Sequence, residues 1–181
     1  MNARSEGSRA YALLKSIESQ VREHAAPLPI EIQVREDWVG IGFRIGDHRL
    51  LAPLGEVVEI LTHPAMSSVP GTRKWVRGIA NVRGNLLPIM DLRGYLEGRA
   101  TVPSRRSRIL VIDHEGVYSG LVVDEVLGLR HFLPEERVSR VELPESYQPY
   151  LDGGFSAGGE TWGVFSLRRL AETPQFLHAA V

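Results

Sequence analysis

The hydrophobic pattern of the chain changes its period near residue 37. Before that point, apolar residues recur at intervals of three and four, which is typical of a helix with one narrow apolar face. These residues are Ala10, Leu13, Leu14, Ile17 and Val21. Ser8 is a candidate N-cap, and Pro27 and Pro29 end the helix. We therefore expect residues 1–28 to form an amphipathic helix and linker, which packs against its own domain or against a partner.

After residue 37, apolar and polar positions alternate, and turn-forming residues divide the chain into about ten short strands. The predicted strands are 38–45, 48–53, 57–61, 78–83, 86–90, 108–112, 118–123, 126–132, 151–155 and 161–166. The hairpin of 78–83 and 86–90 is predicted to turn at Gly84-Asn85. Short helices are predicted at 91–96 and from 167. Strands at this spacing indicate an all-β unit built from two small barrels.

Composition narrows the class of protein. The 181 residues are 43% hydrophobic and 24% charged, which indicates a globular chain rather than a disordered or fibrous one. The chain has no cysteine, which excludes a disulfide framework and a thiol nucleophile. It has no apolar run of the roughly 20 residues that a membrane span needs, and no apolar signal segment at its start. We expect a soluble cytoplasmic protein without direct membrane insertion.

Charge is balanced overall but not locally. The formal net charge is −1, yet residues 73–108 contain nine basic and two acidic side chains, a net charge of +7. Such a segment suits an acidic protein partner, a phosphate-bearing ligand or an ordinary solvated face. An RNA-binding small barrel remains an open alternative, although aromatic residues do not interleave with these arginines as single-strand binding requires. We therefore expect no nucleic-acid partner.

The residues offer little catalytic chemistry. No two of the six histidines stand two or four positions apart, and the sequence predicts neither a metal site nor a cofactor. The glycines of residues 40–46 lie within a predicted strand and do not match a dinucleotide-binding loop. Residues 154–158 match the G-x-S-x-G elbow of serine hydrolases, with Ser156 as the nucleophile. A strand follows this motif where the elbow needs a helix, so a β-hairpin is favoured.

One central block is more informative. Residues 75–93 read WVRGIANVRGNLLPIMDLR, residues 120–129 read GLVVDEVLGL, and residues 56–60 read EVVEI. These blocks resemble, in order, the G-x-x-N-x-R-G and P-x-x-D-L signature, the G-x-V-V-D-x-V segment and the V-x-E-I strand of CheW-like adaptor domains. The resemblance extends over much of the chain after residue 37, and we place the domain at 31–176.

The resemblance implies a fold of two five-stranded SH3-like barrels that share a hydrophobic core. It implies a non-catalytic adaptor that couples the cytoplasmic tips of methyl-accepting chemoreceptors to the regulatory domain of a CheA-like histidine kinase. The central block is most similar to adaptors of pilus-linked chemosensory systems, which control twitching motility. A coupling protein of a flagellar array is the alternative within the family, and a hydrolase using Ser156 is the alternative outside it.

The resemblance also implies functional positions. Receptor-binding residues are expected at Glu59, Arg83, Ile109, Val126 and Leu129. Kinase contact is expected at Val57 and Gly78, although a simple core role is the alternative for Val57. Glu59 and Arg83 are expected to form an ion pair near the groove between the barrels. That pair either contacts the receptor tip or only fixes the hairpin, and the sequence leaves both readings open.

Overall fold

A computed structural model of the protein describes residues 15–16 and 37–178. Lys15 and Ser16 are helical, and the rest of the predicted N-terminal helix lies outside the described residues. Residues 37–178 contain twelve strands in two sheets of six, and most neighbouring strands in both sheets are antiparallel.

The first sheet has the strand order β10-β11-β12-β2-β1-β9. Its strands are β1 (Trp38–Ile45), β2 (His48–Pro53), β9 (Glu125–Phe132), β10 (Arg137–Val138), β11 (Leu151–Ala157) and β12 (Glu160–Phe165). All neighbours are antiparallel except β12 and β2, where Gly163 pairs with Leu50 in a parallel register. Strand β9 forms one edge and carries a bulge at Gly128, whose φ is +81°. Such a bulge hinders an unintended strand from pairing there.

The second sheet has the order β3-β7-β8-β6-β5-β4. Its strands are β3 (Glu59–Leu61), β4 (Met66–Ser67), β5 (Val76–Val82), β6 (Asn85–Asp91), β7 (Arg108–His114) and β8 (Val117–Val123). One parallel pair, β6 with β8, again interrupts an otherwise antiparallel order. All ten strands predicted from the sequence are present. The two that were missed, β4 and β10, have two residues each, too few to show a period.

Two-residue turns with positive φ close three of the hairpins. The turn between β5 and β6 is Arg83-Gly84, with φ of +53° and +88°. The prediction of Gly84-Asn85 was wrong by one residue, because Asn85 already pairs with Val82. Positive φ at both positions is the pattern of a type I′ turn, whose twist matches that of the strands it joins. The β7–β8 and β11–β12 hairpins turn in the same way.

Three hydrophobic clusters fill the domain. One cluster lies within the second sheet, and it includes Leu87, Ile89, Ile109, Val111 and Val122. Another lies within the first sheet, and it includes Leu51, Phe132, Phe155, Trp162 and Val164. The largest cluster takes residues from both sheets, among them Phe43, Leu50, Leu110, Leu121 and Phe165. The domain therefore has one interior for each sheet and a third core that the two sheets share.

Alternation along the strands connects these clusters. In β7, Ile109 and Val111 enter the interior of the second sheet, while Leu110 and Ile112 enter the shared core. Both faces of the strand are therefore buried, which explains its nearly continuous apolar sequence. Strand β2 divides in the same way, since Leu50 faces the shared core and Leu51 the interior of the first sheet.

Short helices complete the shared core. They are α1 (Leu92–Glu97), α2 (Leu167–Glu172) and α3 (Pro174–Leu177). The carboxylate of Glu56 accepts hydrogen bonds from the backbone N–H of Leu167 at 2.6 Å and of Arg168 at 3.2 Å, which satisfies the first amides of α2. No helix in the described part of the chain is long and apolar enough to cross a membrane.

Candidate functional site

The expected ion pair between Glu59 and Arg83 is present. Arg83 Nη2 lies 2.6 Å from Glu59 Oε1. Glu59 belongs to β3, an edge of the second sheet, whereas Arg83 stands at the tip of the β5–β6 hairpin, near the opposite edge. The contact therefore shows that the sheet curls until its two sides meet. The side chain of Arg83 is 78% exposed and that of Glu59 is 25% exposed, so the guanidinium is open to a partner.

The backbone at Arg83 is unusual for an arginine. Its φ of +53° lies in the left-handed region, which costs a residue with a Cβ roughly 1–2 kcal/mol. Asn81 supports the turn, because its Oδ1 accepts a hydrogen bond of 2.9 Å from the Gly84 N–H. An exposed ion pair contributes about 1 kcal/mol or less, so the bond to Glu59 does not clearly offset the backbone strain. Strain of this kind at an exposed charged side chain favours a role outside folding.

The other expected receptor-binding residues lie in three different environments. Leu129 is 58% exposed on the edge strand β9, where it pairs with Ile41. Val126 also lies on β9, but it is half-buried against the shared core. Both residues belong to the first sheet, whereas Glu59 and Arg83 belong to the second. The structure thus brings Glu59 and Arg83 into contact and places Val126 and Leu129 on the edge of the other sheet.

Ile109 does not extend a surface. Its side chain is fully buried in the interior of the second sheet, beside Val111 and Leu87. Position 109 enters this interior because β7 is covered on both faces, a feature that alternation alone does not reveal. This burial favours a core role for Ile109 over the expected receptor contact. Its cross-strand neighbour Leu61, on β3, is half-buried above the same cluster.

Sequence reasoning missed several exposed apolar side chains that are close in sequence to Glu59 or Arg83. Val58 and Ile60 flank Glu59 and are 58% and 42% exposed. Leu86 lies two residues beyond the Arg83-Gly84 turn and is 69% exposed. Exposed apolar residues on an edge strand and a hairpin tip mark an interaction surface when they cluster. Alternation along β3 predicts that Ile60 lies on the face opposite Glu59, but it does not show whether another element covers that face.

The basic segment of residues 73–108 is partly neutralised within the domain. Besides Arg83, three of its arginines lie within 4 Å of a carboxylate: Arg77 with Asp91, Arg93 with Glu97, and Arg106 with Glu125. Arg108 donates to the backbone carbonyls of Arg105 and Ser107. The segment therefore does not present one continuous basic face. This arrangement lowers its suitability for a nucleic-acid backbone, which requires many unpaired cations along one surface.

The serine motif has the wrong local structure for an elbow. Ser156 lies in β11, where it pairs with Thr161 of β12 across the hairpin. A nucleophile elbow places its serine on a sharp turn between a strand and a helix, which orients the hydroxyl above a parallel sheet. Here the chain passes from one antiparallel strand to the next, and the glycines at 158 and 159 form the turn. The motif is a β-hairpin.

The chain is similar to a known protein family and to individual proteins over most of its length. A family model for the CheW-like domain matches residues 39–175. The chain belongs to the CheW-like family. The protein PilI of Pseudomonas aeruginosa is 42% identical over 174 residues, which are 94% of this chain and 96% of that protein. The protein FrzA of Myxococcus xanthus is 35% identical over 133 residues, covering 73% of this chain and 76% of that protein.

A solved structure supports the CheW-like fold. The crystal structure of the scaffolding protein TtCheW from Thermoanaerobacter tengcongensis matches with a TM-score of 0.66 at 20% identity. The match covers 76% of this chain and 94% of that one. The predicted class, SH3-like barrels around a common core with small helices, is confirmed. The residues that match the family's signature have local structural roles here: Arg83-Gly84 form a tight turn, Arg83 pairs with Glu59, and Asp91 caps α1.

The two CheW-like positions expected to contact a kinase lie in the barrel formed by the second sheet or beside it. Val57 is half-buried against the shared core, which fits the alternative of a core role. Gly78 is buried, and its φ is +139°. A Cβ at this position would lie 2.2 Å from the Ser67 carbonyl oxygen of β4. Gly78 therefore determines how closely the edge strand β4 packs on β5.

The buried Tyr147, in the turn that precedes β11, is hydrogen-bonded to Glu97 at the end of α1. The Tyr147 hydroxyl donates to Glu97 Oε1 at 2.7 Å, and Arg93 Nε donates to Glu97 Oε2 at 2.9 Å. Burial, reinforced by the bond to Glu97, raises the pKa of Tyr147. Burial acts to raise the pKa of Glu97 as well, but the bonds from Tyr147 and Arg93 outweigh it, and that pKa is lowered. The glutamate therefore stays ionised between its two donors.

Proposed function

We propose that this protein is a coupling adaptor of a chemosensory array, without a catalytic step of its own. It holds the tip of a chemoreceptor and the regulatory domain of a CheA-like histidine kinase in a fixed geometry in the cytoplasm. The proposal is supported by membership of the CheW-like family and by the similarity to PilI and FrzA over most of the chain. The contacts with receptor and kinase can each be modest in area, because their overall affinity rises when they repeat in an array.

The observation that carries the receptor site is the position of Arg83. The residue adopts a strained backbone conformation, is largely exposed and is oriented by Glu59. Exposed Val58 and Ile60 are the sequence neighbours of Glu59, and exposed Leu86 lies on the same hairpin as Arg83. We propose that Arg83 and these neighbours contact the receptor tip, with Val126 and Leu129 on the first sheet contributing a second part of that surface. Kinase contact is proposed at the barrel that holds Val57 and Gly78.

A charge swap separates the two roles of the ion pair. Arg83→Glu is expected to weaken binding to a purified receptor cytoplasmic fragment by about tenfold or more, because it places two carboxylates together and removes the exposed cation. The double variant Glu59→Arg with Arg83→Glu restores an ion pair but reverses its surface charges. It is expected to regain the wild-type melting temperature without regaining receptor binding. Affinity is measured by fluorescence anisotropy and folding by circular dichroism.

Arg49→Glu is the matched control. It breaks another exposed Arg–Glu pair, with Glu160 at 2.8 Å, on the first sheet. Receptor binding by this variant is expected to match the wild type. Recovery of receptor binding in the charge-swapped double variant would assign the ion pair to hairpin structure alone. A wild-type protein that binds neither the receptor fragment nor the kinase regulatory domain would refute the adaptor function itself.

We further propose that the array controls twitching motility through type IV pili, because the similarity to PilI extends over nearly the whole of both chains. Deleting the coding sequence is expected to abolish the twitching zone beneath agar while swimming in soft agar persists. Loss of swimming with normal twitching would instead favour a flagellar array. Complementation with the wild-type chain controls for effects of the deletion on neighbouring genes.

A further inference from the structure

A groove lies at the start of β5, far from the Glu59–Arg83 pair. It has a volume of about 760 Å³ and lies between residues 72–75, α1 with the residues just after it, and α3. Its lining includes Trp75, Tyr95, Gly98, Ala100 and Gln175. We call it the Trp75 groove. Because Trp75 precedes β5 and Arg83 follows it, the seven residues of the strand separate the two sites by roughly 23 Å.

The aromatic wall of the Trp75 groove is held in place by its neighbours. Trp75 stacks on Phe176 with ring centroids 5.7 Å apart and planes inclined by 10°. Tyr95 meets Trp75 edge to face at 5.2 Å, and its hydroxyl forms a hydrogen bond of 2.9 Å with the hydroxyl of Tyr150. A wall fixed in this way needs little ordering when a ligand binds, which lowers the entropic cost of association.

The margin of the groove carries unneutralised positive charge. Arg73 and Lys74 line it and are exposed, and exposed Arg99 lies between the lining residues Gly98 and Ala100. Within the described residues, no ion pair is recorded for these three cations, and no carboxylate lines the groove. Arg77 and Arg93 of the same basic segment, by contrast, are paired with Asp91 and Glu97. Three cations without a carboxylate partner among the described residues thus lie at the margin of this groove.

We propose that the Trp75 groove binds an acidic peptide segment of a partner protein. A bulky apolar side chain of that segment packs on Trp75 and Tyr95, and flanking carboxylates pair with Arg73, Lys74 and Arg99. Cations carried by two different segments of the chain suit an extended ligand with several negative charges, and an aromatic wall suits a side chain rather than a small inorganic anion. Because the site is remote from Arg83, such a partner binds independently of the receptor.

A displayed library of random peptides, selected on the purified full-length protein, tests the proposal. The expected consensus combines Asp or Glu with Leu, Phe or Trp. A synthetic peptide of that consensus is expected to bind more weakly as salt is raised, since its charged contacts are exposed. The double variant Lys74→Glu with Arg99→Glu is expected to lower its affinity, measured by fluorescence anisotropy, by about tenfold or more.

Two further variants identify the groove itself. Arg140→Glu with Arg168→Glu makes the same charge change at exposed arginines that line other cavities, and it is expected to leave peptide affinity within about twofold of wild type. Ala100→Trp fills the groove from an exposed position and is expected to abolish binding while the thermal melt is unchanged. Because the readout is peptide affinity, it is independent of receptor coupling.

Several results would overturn the proposal. The first is a library that yields no acidic consensus, and the second is an unchanged peptide affinity in the Lys74→Glu, Arg99→Glu variant. Competition by inorganic phosphate or ATP as strong as that by the peptide would assign the groove to a small anion. A wild-type dimer in sedimentation that the same two substitutions dissociate would assign the groove to a second copy of the chain.

Discussion

At the scale of single residues, Asp91 stands out because a charged side chain is fully buried there. Its carboxylate is buried and accepts hydrogen bonds from the Gly94 N–H at 2.9 Å, and from the Thr101 N–H and hydroxyl at 2.8 Å each. Arg77 Nη1 approaches Oδ2 at 3.5 Å. One side chain thereby ends β6, caps α1 and anchors the connector that follows. A buried carboxylate is tolerated here because each of its two oxygens has two donor groups within 3.5 Å.

Replacing Asp91 with Asn tests this role. The Asn side chain keeps one acceptor oxygen but replaces the other with an NH2 group. That group donates, so it faces donors that the carboxylate oxygen accepted from. The expected loss is about 2–3 kcal/mol in the free energy of unfolding by urea. Asp113→Asn, at an exposed position of β7, is the matched control and is expected to stay within about 0.5 kcal/mol of wild type. Equal stability of the two variants would contradict the account.

At the scale of elements, the β5–β6 hairpin shows how a motif becomes structure. Gly78 permits the close approach of β4, Asn81 supports the turn, and Gly84 supplies a positive φ of +88°. Arg83 is the one member of this group whose own turn position would favour a different residue. The hairpin is therefore a rigid support that presents one charged side chain at its tip.

Gly78→Ala is the corresponding prediction. The new Cβ would lie 2.2 Å from the Ser67 carbonyl oxygen, a backbone atom that moves only if β4 moves. With the unfavourable φ of +139°, the variant is expected to lose about 2–4 kcal/mol and to expose the Ser67 amide to hydrogen exchange. Gly55→Ala is the control, since nothing lies within 4 Å of a Cβ there. Protection of Ser67 at the wild-type level in Gly78→Ala would refute the packing argument.

At the scale of the whole domain, the shared core unites the two sheets. Leu50 and Phe43 of the first sheet belong to the same cluster as Leu110 and Leu121 of the second. The bond from Tyr147 to Glu97 adds a polar connection between α1, which follows β6, and the turn that precedes β11. Two small barrels that would each bury little surface alone gain stability from this common interior. Their relative position is thereby fixed, as an adaptor between two partners requires.

The Glu97 connection predicts a pH dependence. Because the folded protein lowers the pKa of Glu97, its contribution is fully present above the unfolded value of about 4.3 and is lost as pH falls through the folded value. Glu97→Gln is expected to cost about 1 kcal/mol at pH 7 and to flatten the loss of stability between about pH 5 and pH 3. Urea unfolding across this range measures the slope. Glu115→Gln, at an exposed turn, controls for the removal of one carboxylate. Parallel wild-type and Glu97→Gln profiles would show that this carboxylate does not couple folding to pH.

The strand content, the hairpins and the family could be predicted from local sequence. Period-2 alternation and turn residues located β1, β2 and β7 to within a few residues, because hairpins depend on neighbours along the chain. The ion pair of Glu59 with Arg83 came from the family resemblance and is observed. The burial of Ile109 and the exposure of Leu86 were not predictable, because both are apolar strand residues whose environment depends on which element covers them.

Local order along the chain was thus enough to specify which residues form strands and which residues carry charge. It also located the turn at Arg83-Gly84 to within one residue. Only the tertiary structure decided that both faces of β7 are covered, that β3 and the distant hairpin tip meet, and that Arg73 and Lys74, without a carboxylate partner among the described residues, line a groove with Trp75. The physical reason is range. Backbone preferences and turns act between adjacent residues, whereas burial and ion pairing depend on segments that come together only when both sheets close on a common core.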